Sequence, residues 1–190
     1  NQLEGGIKAD LAKDRLSATI SYYDIKVKNT VRTDPANPTY SIQEGTQYSK
    51  GVEIDLQAKP LKGLFINAGF AYNDSKMTSA DSTIKGLRPI SSGPEKMINF
   101  YASYQLPVGL GIGAGGNYAA RNLIINTTTS GQFYLNSYTL INASLFYNHA
   151  RYRFAVTADN IGNKEYYTGG SGTFTPGMLR RFTGSIAVRF

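Results

Sequence analysis

The chain has 190 residues, with 20 Lys or Arg, 13 Asp or Glu, a single His and no Cys. The lack of Cys excludes a disulfide scaffold and a zinc–cysteine site. No apolar run approaches the roughly 18 residues that a membrane-spanning helix requires, which excludes a helical membrane protein. The net charge is +7, but the Lys and Arg residues are scattered along the chain without a basic run of five or more, so we expect no nucleic acid partner.

Alternation of apolar and polar residues recurs in segment after segment, and apolar spacing of the helical kind is absent. This pattern predicts about nine β-strands. In chain order they cover residues 3–11, 16–31, 40–59, 64–77, 95–106, 110–122, 137–148, 152–167 and 178–190.

The connections between these strands alternate in length. Short, turn-like connections lie at residues 12–15, 60–63, 107–109 and 148–151, and long polar connections lie at 32–39, 78–93, 123–136 and 168–177. Tight turns on one side and long loops on the other are typical of outer-membrane β-barrels, whose long loops are extracellular. We therefore predict an all-β, antiparallel transmembrane barrel segment that contacts the lipid bilayer.

The two faces of the strands differ in polarity. In the fourth strand one face is apolar throughout, whereas in the third strand Glu53 and Asp55 alternate with apolar residues. A Lys or Arg side chain facing lipid near the bilayer midplane costs about 2 to 4 kcal/mol, so the charged faces should line the lumen. We expect the following side chains to face lipid: Leu64, Ile66, Phe70, Ile112, Ile186 and Val188.

An antiparallel sandwich with one wet face is the alternative, because it would show the same alternation. Aromatic residues at the strand ends favour the barrel, since they form two interfacial girdles in such proteins. The predicted girdle near the long loops contains Tyr72, Tyr118 and Tyr138, and the one near the short turns contains Tyr104, Tyr147, Tyr152 and Phe190.

Two places fit this pattern poorly. In the second strand the apolar phase shifts between Tyr22 and Ile25, which predicts a β-bulge near Tyr22 and Tyr23. Lys50 falls on the outward phase of the third strand. It either extends toward the membrane interface, or the register of that strand slips.

Three motifs carry a family resemblance. The segment Ser49-Lys50-Gly51-Val52-Glu53 resembles a strand of TonB-dependent receptors, and Asp159-Asn160-Ile161-Gly162-Asn163-Lys164-Glu165-Tyr166-Tyr167 resembles another. The chain ends in an alternating strand closed by Phe190. Together with shorter matches, the resemblance covers nearly the whole chain in the correct order.

The resemblance implies a 22-stranded barrel plugged by an N-terminal domain and energised through the inner-membrane protein TonB. Residues 1–190 would then be the C-terminal portion of the barrel. Nine strands cannot complete such a barrel, and an odd number places the two chain ends on opposite membrane sides. The chain begins without a Met or a signal peptide, so we expect the plug and the earlier strands to precede Asn1.

The last strand resembles the C-terminal signal that the barrel-assembly machinery reads in outer-membrane proteins. Its apolar phase contains Phe182, Ile186, Val188 and the terminal Phe190. The glycine of this strand stands one place from its usual position in such signals.

The sequence does not favour an enzyme. His149, the single histidine, lies in a predicted turn without a serine and carboxylate arranged around it, so a Ser-His hydrolase is not expected. Glu53 and Asp55 lie two apart on one inward face. Pairing with Lys or Arg of the plug or of a neighbouring strand explains them better than acid–base chemistry or a metal site. We expect no cofactor.

Ligand contacts are expected near the long loops, where Arg and aromatic side chains suit an anionic, ring-bearing ligand. Six residues qualify by position: Arg32, Tyr40, Arg88, Tyr134, Tyr167 and Arg180. The expected function is uptake of a ferric siderophore across the outer membrane of a Gram-negative bacterium. A glycan or cobalamin transporter and a passive porin or adhesin are the alternatives.

Overall fold

The computed structural model describes residues 1–13, 15–34, 37, 39–43, 45–78, 85–127 and 131–190, without the side chains of residues 32, 33, 126 and 127. Within these ranges the chain forms strands and no helix. No helix suited to crossing a membrane is therefore found in the described part.

The described residues form fifteen strands. They are β1 (Gln2–Leu11), β2 (Leu16–Lys28), β3 (Val31–Thr33), β4 (Ser41–Gln43), β5 (Thr46–Ala58), β6 (Leu64–Thr78), β7 (Lys96–Gln105), β8 (Leu110–Ala119), β9 (Asn122–Thr127), β10 (Gly131–Leu135), β11 (Tyr138–His149), β12 (Tyr152–Asp159), β13 (Tyr167–Gly170), β14 (Thr173–Pro176) and β15 (Arg181–Val188).

Nine of these strands form one antiparallel sheet in the order β1-β2-β5-β6-β7-β8-β11-β12-β15. Each strand pairs with its predecessor in this series, as a meander of a barrel wall requires. The prediction of about nine strands is confirmed. The other six strands form three short hairpins, β3–β4, β9–β10 and β13–β14, all within the long connections.

The outer face of the sheet is apolar and exposed. The cross-strand row Leu64, Tyr104, Ile112, Leu145 and Val156 lies on this face, because directly paired residues point to the same side. Ile112 is 59% exposed and Ile186 is 70% exposed. The six residues expected to face lipid share this face, so the predicted division of the faces is confirmed.

The buried side chains lie elsewhere. Phe146 is on the inner face, and Ile124, which is fully buried, belongs to the β9–β10 hairpin. A soluble sandwich would bury its apolar sheet face and expose the polar one. The opposite arrangement suits a wall with lipid outside and protein or water inside.

The edge of the sheet with short turns depends on unusual backbone conformations. Gly109, between β7 and β8, has φ 90° and donates its N–H to the carbonyl oxygen of Leu106. The carbonyl oxygen of Asn148 lies where a Cβ of residue 109 would stand. Glycine is therefore required at this position for both conformation and space.

The predicted bulge near Tyr22 and Tyr23 is wrong. The register of β2 with β1 and with β5 continues through these residues without a shift. Ile25 and Val27 face inward instead, and together with Pro89 and Ser92 they line a small cavity of about 160 Å³. The apolar phase changes because residues of a returning loop cover the inner face of the strand there.

Lys50 keeps the outward position that the alternation predicts, without a slip in register. Tyr138 does not. It lies opposite Ala119 on the inner face and contacts the ring of Tyr166, with 4.6 Å between ring centroids. Tyr138 therefore does not belong to the predicted girdle near the long loops, whereas Tyr72 and Tyr118 do lie on the outer face.

Several strands are shorter than predicted. The strand expected over residues 152–167 ends at Asp159, and the one expected over 178–190 covers Arg181–Val188. Asn160 has φ 49° and Asn163 has φ 50°, and the left-handed conformation of these residues ends the strand.

Candidate functional site

The edge of the sheet with long loops carries all six predicted ligand residues. Tyr40 precedes β4 and is 68% exposed, whereas the side chain of Arg32, in β3, lies outside the described part. Tyr134 belongs to β10, Tyr167 to β13, and Arg180 directly precedes β15. The structure therefore places five of the candidates in three separate hairpins and their flanks, and Arg88 in the long connection between β6 and β7.

Two of these hairpins pack against each other. The side-chain Nδ2 of Asn122, at the start of β9, donates to the carbonyl oxygen of Gly169 in β13 at 2.8 Å. The N–H of Gly172 donates to the carbonyl oxygen of Ile124 at 2.7 Å. With Ile124 fully buried, β9–β10 and β13–β14 form one assembled loop layer, which we call the paired hairpins.

The paired hairpins present two groups of aromatic side chains. The rings of Tyr167 and Phe174 meet edge to face, with centroids 5.7 Å apart, and both are about half exposed. The guanidinium of Arg121 lies 4.7 Å from the ring centroid of Tyr134, and the Tyr134 hydroxyl donates to Gln132 Oε1 at 2.9 Å. This surface offers a cation, ring faces and hydroxyls to a ligand.

Arg121 was absent from the predicted candidates. It lies between β8 and β9, directly before Asn122, and this position at the start of a long connection is the signal that could have identified it. Its partnership with Tyr134 depends on how the β9–β10 hairpin folds back. That fold is a tertiary contact, which alternation does not reveal.

Asn160 fixes the base of the β13–β14 hairpin. Its side chain is buried, donates to the carbonyl oxygens of Lys164 at 2.9 Å and Met178 at 3.0 Å, and accepts from the Lys164 N–H at 2.8 Å. Its own N–H donates to Oδ1 of Asn142 on β11 at 2.8 Å. The amide side chain thus joins both ends of the loop to the sheet.

Asn163 adds a second connection at the same base. Its Oδ1 accepts from the N–H of Arg180 at 2.9 Å, so the backbone of the segment before β15 is held in place. The guanidinium of Arg180 donates to the carbonyl oxygen of Ile161 at 3.4 Å. Below this base, Arg181 and Asp159 form an ion pair of 2.9 Å on the inner face.

Arg88 anchors another long loop. Its Nη1 donates to the carbonyl oxygen of Asn73 at 2.6 Å, and its Nη2 donates to that of Gly93 at 3.2 Å. Asn73 also donates from Nδ2 to the carbonyl oxygen of Ser92 at 3.2 Å. The guanidinium therefore holds the segment before β7 against β6, and a ligand contact by Arg88 stays a prediction.

The inner wall carries unpaired carboxylates. Glu53 and Asp55 on β5 share a concavity of about 310 Å³ with Asn99 on β7 and Asn117 on β8. Neither carboxylate forms an ion pair with another side chain in the described part of the chain. Carboxylates that face a lumen without cations of their own can receive Lys or Arg from a domain inside it.

The single histidine and the acidic residues of the described part form no candidate metal cluster. His149 ends β11 at the short-turn edge, where its Nδ1 lies 3.4 Å from the Tyr147 hydroxyl. No group of three or more His, Asp or Glu side chains in the described ranges could hold a metal ion.

Comparison with known proteins identifies the class. The family described as "TonB dependent receptor-like, beta-barrel" matches residues 1–161, well over half of the chain. The chain therefore belongs to the β-barrel family of TonB-dependent receptors. These are proteins of the Gram-negative outer membrane and not enzymes, which confirms the predicted family, fold class and location.

Individual relatives are receptors of metal chelates. The chain is 25% identical to the metal-pseudopaline receptor CntO of Pseudomonas aeruginosa, covering 98% of this chain and 27% of that protein. It is 28% identical to the ferrichrome outer membrane transporter/phage receptor of Escherichia coli K12, covering 87% of this chain and 23% of that protein. The chain thus spans about a quarter of the length of these two relatives.

Solved structures share the fold. The ferric-catecholate import receptor Fiu of E. coli K12, in its closed form, superposes with a TM-score of 0.84 at 19% identity, covering 100% of this chain and 27% of that one. The siderophore receptor PiuA of Acinetobacter baumannii superposes with a TM-score of 0.83 at 20% identity, covering 98% of this chain and 28% of that one. At these identities the likeness establishes the fold alone.

Proposed function

We propose that the chain is the C-terminal part of the barrel of a receptor that imports a ferric siderophore across the outer membrane, energised through TonB. Residues 1–190 would supply nine strands of a 22-stranded wall and four of its extracellular loops. The observation that carries the proposal is the surface of the paired hairpins, where Tyr167 and Phe174 lie exposed and the exposed Arg121 lies over the half-buried ring of Tyr134.

The chemistry of this surface suits a ferric chelate. Siderophores of the catecholate and hydroxamate kinds are anionic or strongly polarised around the iron, and many carry rings. An Arg guanidinium and aromatic faces attract both features. Relatives at 25–28% identity that are named as receptors for metal-pseudopaline and as a transporter for ferrichrome support the same substrate class.

The inner wall fits a plugged barrel. We propose that Glu53 and Asp55 pair with Lys or Arg side chains of a plug domain, which would also carry the contact to TonB. Burying basic plug residues against unpaired wall carboxylates offsets the cost of desolvating both. The wall then holds the plug in place until TonB delivers energy.

We propose that the last strand serves as the assembly signal for the barrel-assembly machinery. Phe182 is 69% exposed and Ile186 70%, and both lie on the outer face with Val188. Phe190, which follows the strand, is fully exposed. An apolar edge strand of this kind can be recognised before it pairs with a neighbour.

Growth under iron limitation tests the substrate. Cells with and without the full gene receive single siderophores as their iron source, and the gene is supplied again from a plasmid as the control. We expect that at least one siderophore supports growth only when the receptor is present. This growth should disappear when TonB is deleted. Dependence on a glycan or cobalamin instead would reject the ferric chelate but keep the transporter, and uptake independent of TonB would favour a passive porin.

A further inference from the structure

The outer face changes from apolar to charged over a single step along β2, β5 and β6. Ile20, Ile54 and Phe70 form one apolar cross-strand row, followed toward the long loops by Tyr22, Val52 and Tyr72. The next row is Asp24, Lys50 and Asp74, and the one after it is Lys26, Tyr48 and Lys76. Since Tyr rings mark the membrane interface, the charged rows lie at the level of the lipid headgroups.

Five lysines occupy this part of the outer face, which we call the lysine face: Lys26, Lys28, Lys50, Lys76 and Lys96. They are accompanied by two carboxylates. Lys50 pairs with Asp24 at 2.8 Å, and Lys76 pairs with Asp74 at 3.0 Å. Lys26, Lys28 and Lys96 have no carboxylate partner in the described part of the chain, so the face carries an excess of three positive charges.

Aromatic rings orient two of these lysines. Lys26 Nζ lies 4.9 Å from the ring centroid of Tyr48, and Lys96 Nζ lies 5.9 Å from that of Tyr72. Tyr48 is the cross-strand neighbour of both Lys26 and Lys76. Because adjacent strands lie about 4.8 Å apart, the backbones at Lys26 and Lys76 are about 10 Å apart, and Tyr48 projects from the strand between them on the same face.

The remaining strands of the sheet lack such a feature. At their long-loop ends the outer face carries Leu3 on β1, Tyr118 on β8, Thr139 on β11, Ala158 on β12 and Phe182 on β15. An ordinary solvated rim would distribute its cations around the wall. The concentration on β2, β5, β6 and β7 indicates a particular anionic neighbour on this side.

We propose that the lysine face binds the phosphate groups of a phosphorylated lipid of the outer leaflet, with Lys26, Tyr48 and Lys76 as its centre. Lysine ammonium groups bind phosphate as point charges, and the tyrosine hydroxyl adds a hydrogen-bond donor. The apolar rows below, formed by Ile54, Phe70 and their neighbours, accommodate the acyl chains of the same molecule. Charge complementarity at the headgroup level and apolar area beneath it thus select a lipid over a free anion.

The test uses the intact receptor that contains this chain, purified in detergent and freed of lipid. Binding of lipid A with two phosphates is measured by native mass spectrometry, beside dephosphorylated lipid A and with inorganic phosphate as competitor. The variant Lys26→Gln/Lys76→Gln removes two charges from the lysine face. Lys59→Gln/Lys62→Gln removes two charges at the short-turn edge and is the matched control.

The expected result is tight binding of phosphorylated lipid A that falls on the order of tenfold to thirtyfold in Lys26→Gln/Lys76→Gln and is unchanged in the control. Lys28→Gln/Lys96→Gln provides a second variant should the first fail to fold, and a fall in its affinity is likewise expected. Equal binding by the variants and the wild type, or equal binding of dephosphorylated lipid, would overturn the proposal. So would full displacement by millimolar inorganic phosphate, which would indicate a small-anion site.

Discussion

The side-chain Nδ2 of Asn160 donates a hydrogen bond to the carbonyl oxygen of Met178, and this bond closes the base of the loop that carries β13 and β14. The same amide bonds to Lys164 in both directions. The family motif around Asn160, which the sequence predicts to be strand and turn, is therefore a loop anchor. Its function is to hold Tyr167 and the segment before β15 in a fixed relation to the sheet.

We predict that Asn160→Ala loosens the paired hairpins without preventing assembly of the barrel. Each buried partner left without a hydrogen bond costs about 1 to 3 kcal/mol, and Asn160 serves several. The β13–β14 loop should be cut faster by protease on intact cells, while the folded barrel still resists unfolding in detergent. Asn37→Ala, in an exposed part of another loop, is the control. If protease cuts the β13–β14 loop equally fast in both variants, Asn160 does not anchor this loop.

A second prediction concerns how firmly Arg88 holds its loop in place. Arg88→Ala removes two hydrogen bonds from a charged donor and should reduce the local stability of residues 86–93 by roughly 2 kcal/mol. Hydrogen exchange of these amides should accelerate, and the ligand affinity should fall as a consequence. Lys85→Ala is the exposed control. Weaker ligand binding with unchanged exchange would show instead that Arg88 contacts the ligand directly.

Tyr167 tests the proposed ligand surface. Tyr167→Ala removes one half of the edge-to-face pair with Phe174, and aromatic contacts of this kind are worth about 0.5 to 1.5 kcal/mol. We expect the affinity of the intact receptor for its ferric siderophore to fall about threefold to tenfold, as measured by intrinsic fluorescence quenching. Thr168→Ala, the neighbouring exposed residue, should leave the affinity unchanged. A decrease of similar size in both variants would point to loop disorder in place of contact.

Much of the wall could be predicted from sequence because one face meets lipid and the other meets the lumen, so apolar and polar residues alternate with a period of two residues. Leu64 to Tyr72 shows the outward phase in the residues themselves, without reference to any other part of the chain. Where the environment is set by a distant segment, the prediction failed. Ile25 and Val27 looked like a shifted lipid face, but they line a cavity with Pro89 and Ser92 of a returning loop.

The loop layer was harder to predict for a related reason. Strands such as β13 and β14 have only four residues each, too few for alternation to be detected. The position of Arg121 beside Tyr134 and the burial of Ile124 arise from contacts between hairpins. Tyr134 and Tyr167 were chosen for their place near long loops, and the structure adds the partners that make them a surface.

The glycines of β8 yield a prediction about the inner wall. The ring of Phe146 lies where a Cβ of Gly111 would stand, and the guanidinium of Arg153 lies over the same ring, 4.4 Å from its centroid. Gly111→Ala must displace the ring, and we expect a loss of about 1 to 3 kcal/mol in barrel stability. Gly184→Ala on β15 has open space around it and is the matched control. The denaturant midpoint of the detergent-solubilised barrel measures both.

The last prediction concerns the 190-residue chain produced by itself. β1 pairs only with β2 and β15 pairs only with β12, so each terminal strand has one edge without a partner in the described sheet. Unpaired edges of long strands attract other chains, and the apolar outer face adds to this tendency in water. We expect aggregation without detergent. In detergent, which covers the outer face but not the edges, we expect oligomers joined edge to edge. Size-exclusion chromatography with light scattering distinguishes these states. A monodisperse, detergent-free monomer of 20.7 kDa would show that the chain satisfies its own edges and does not need the rest of a barrel wall.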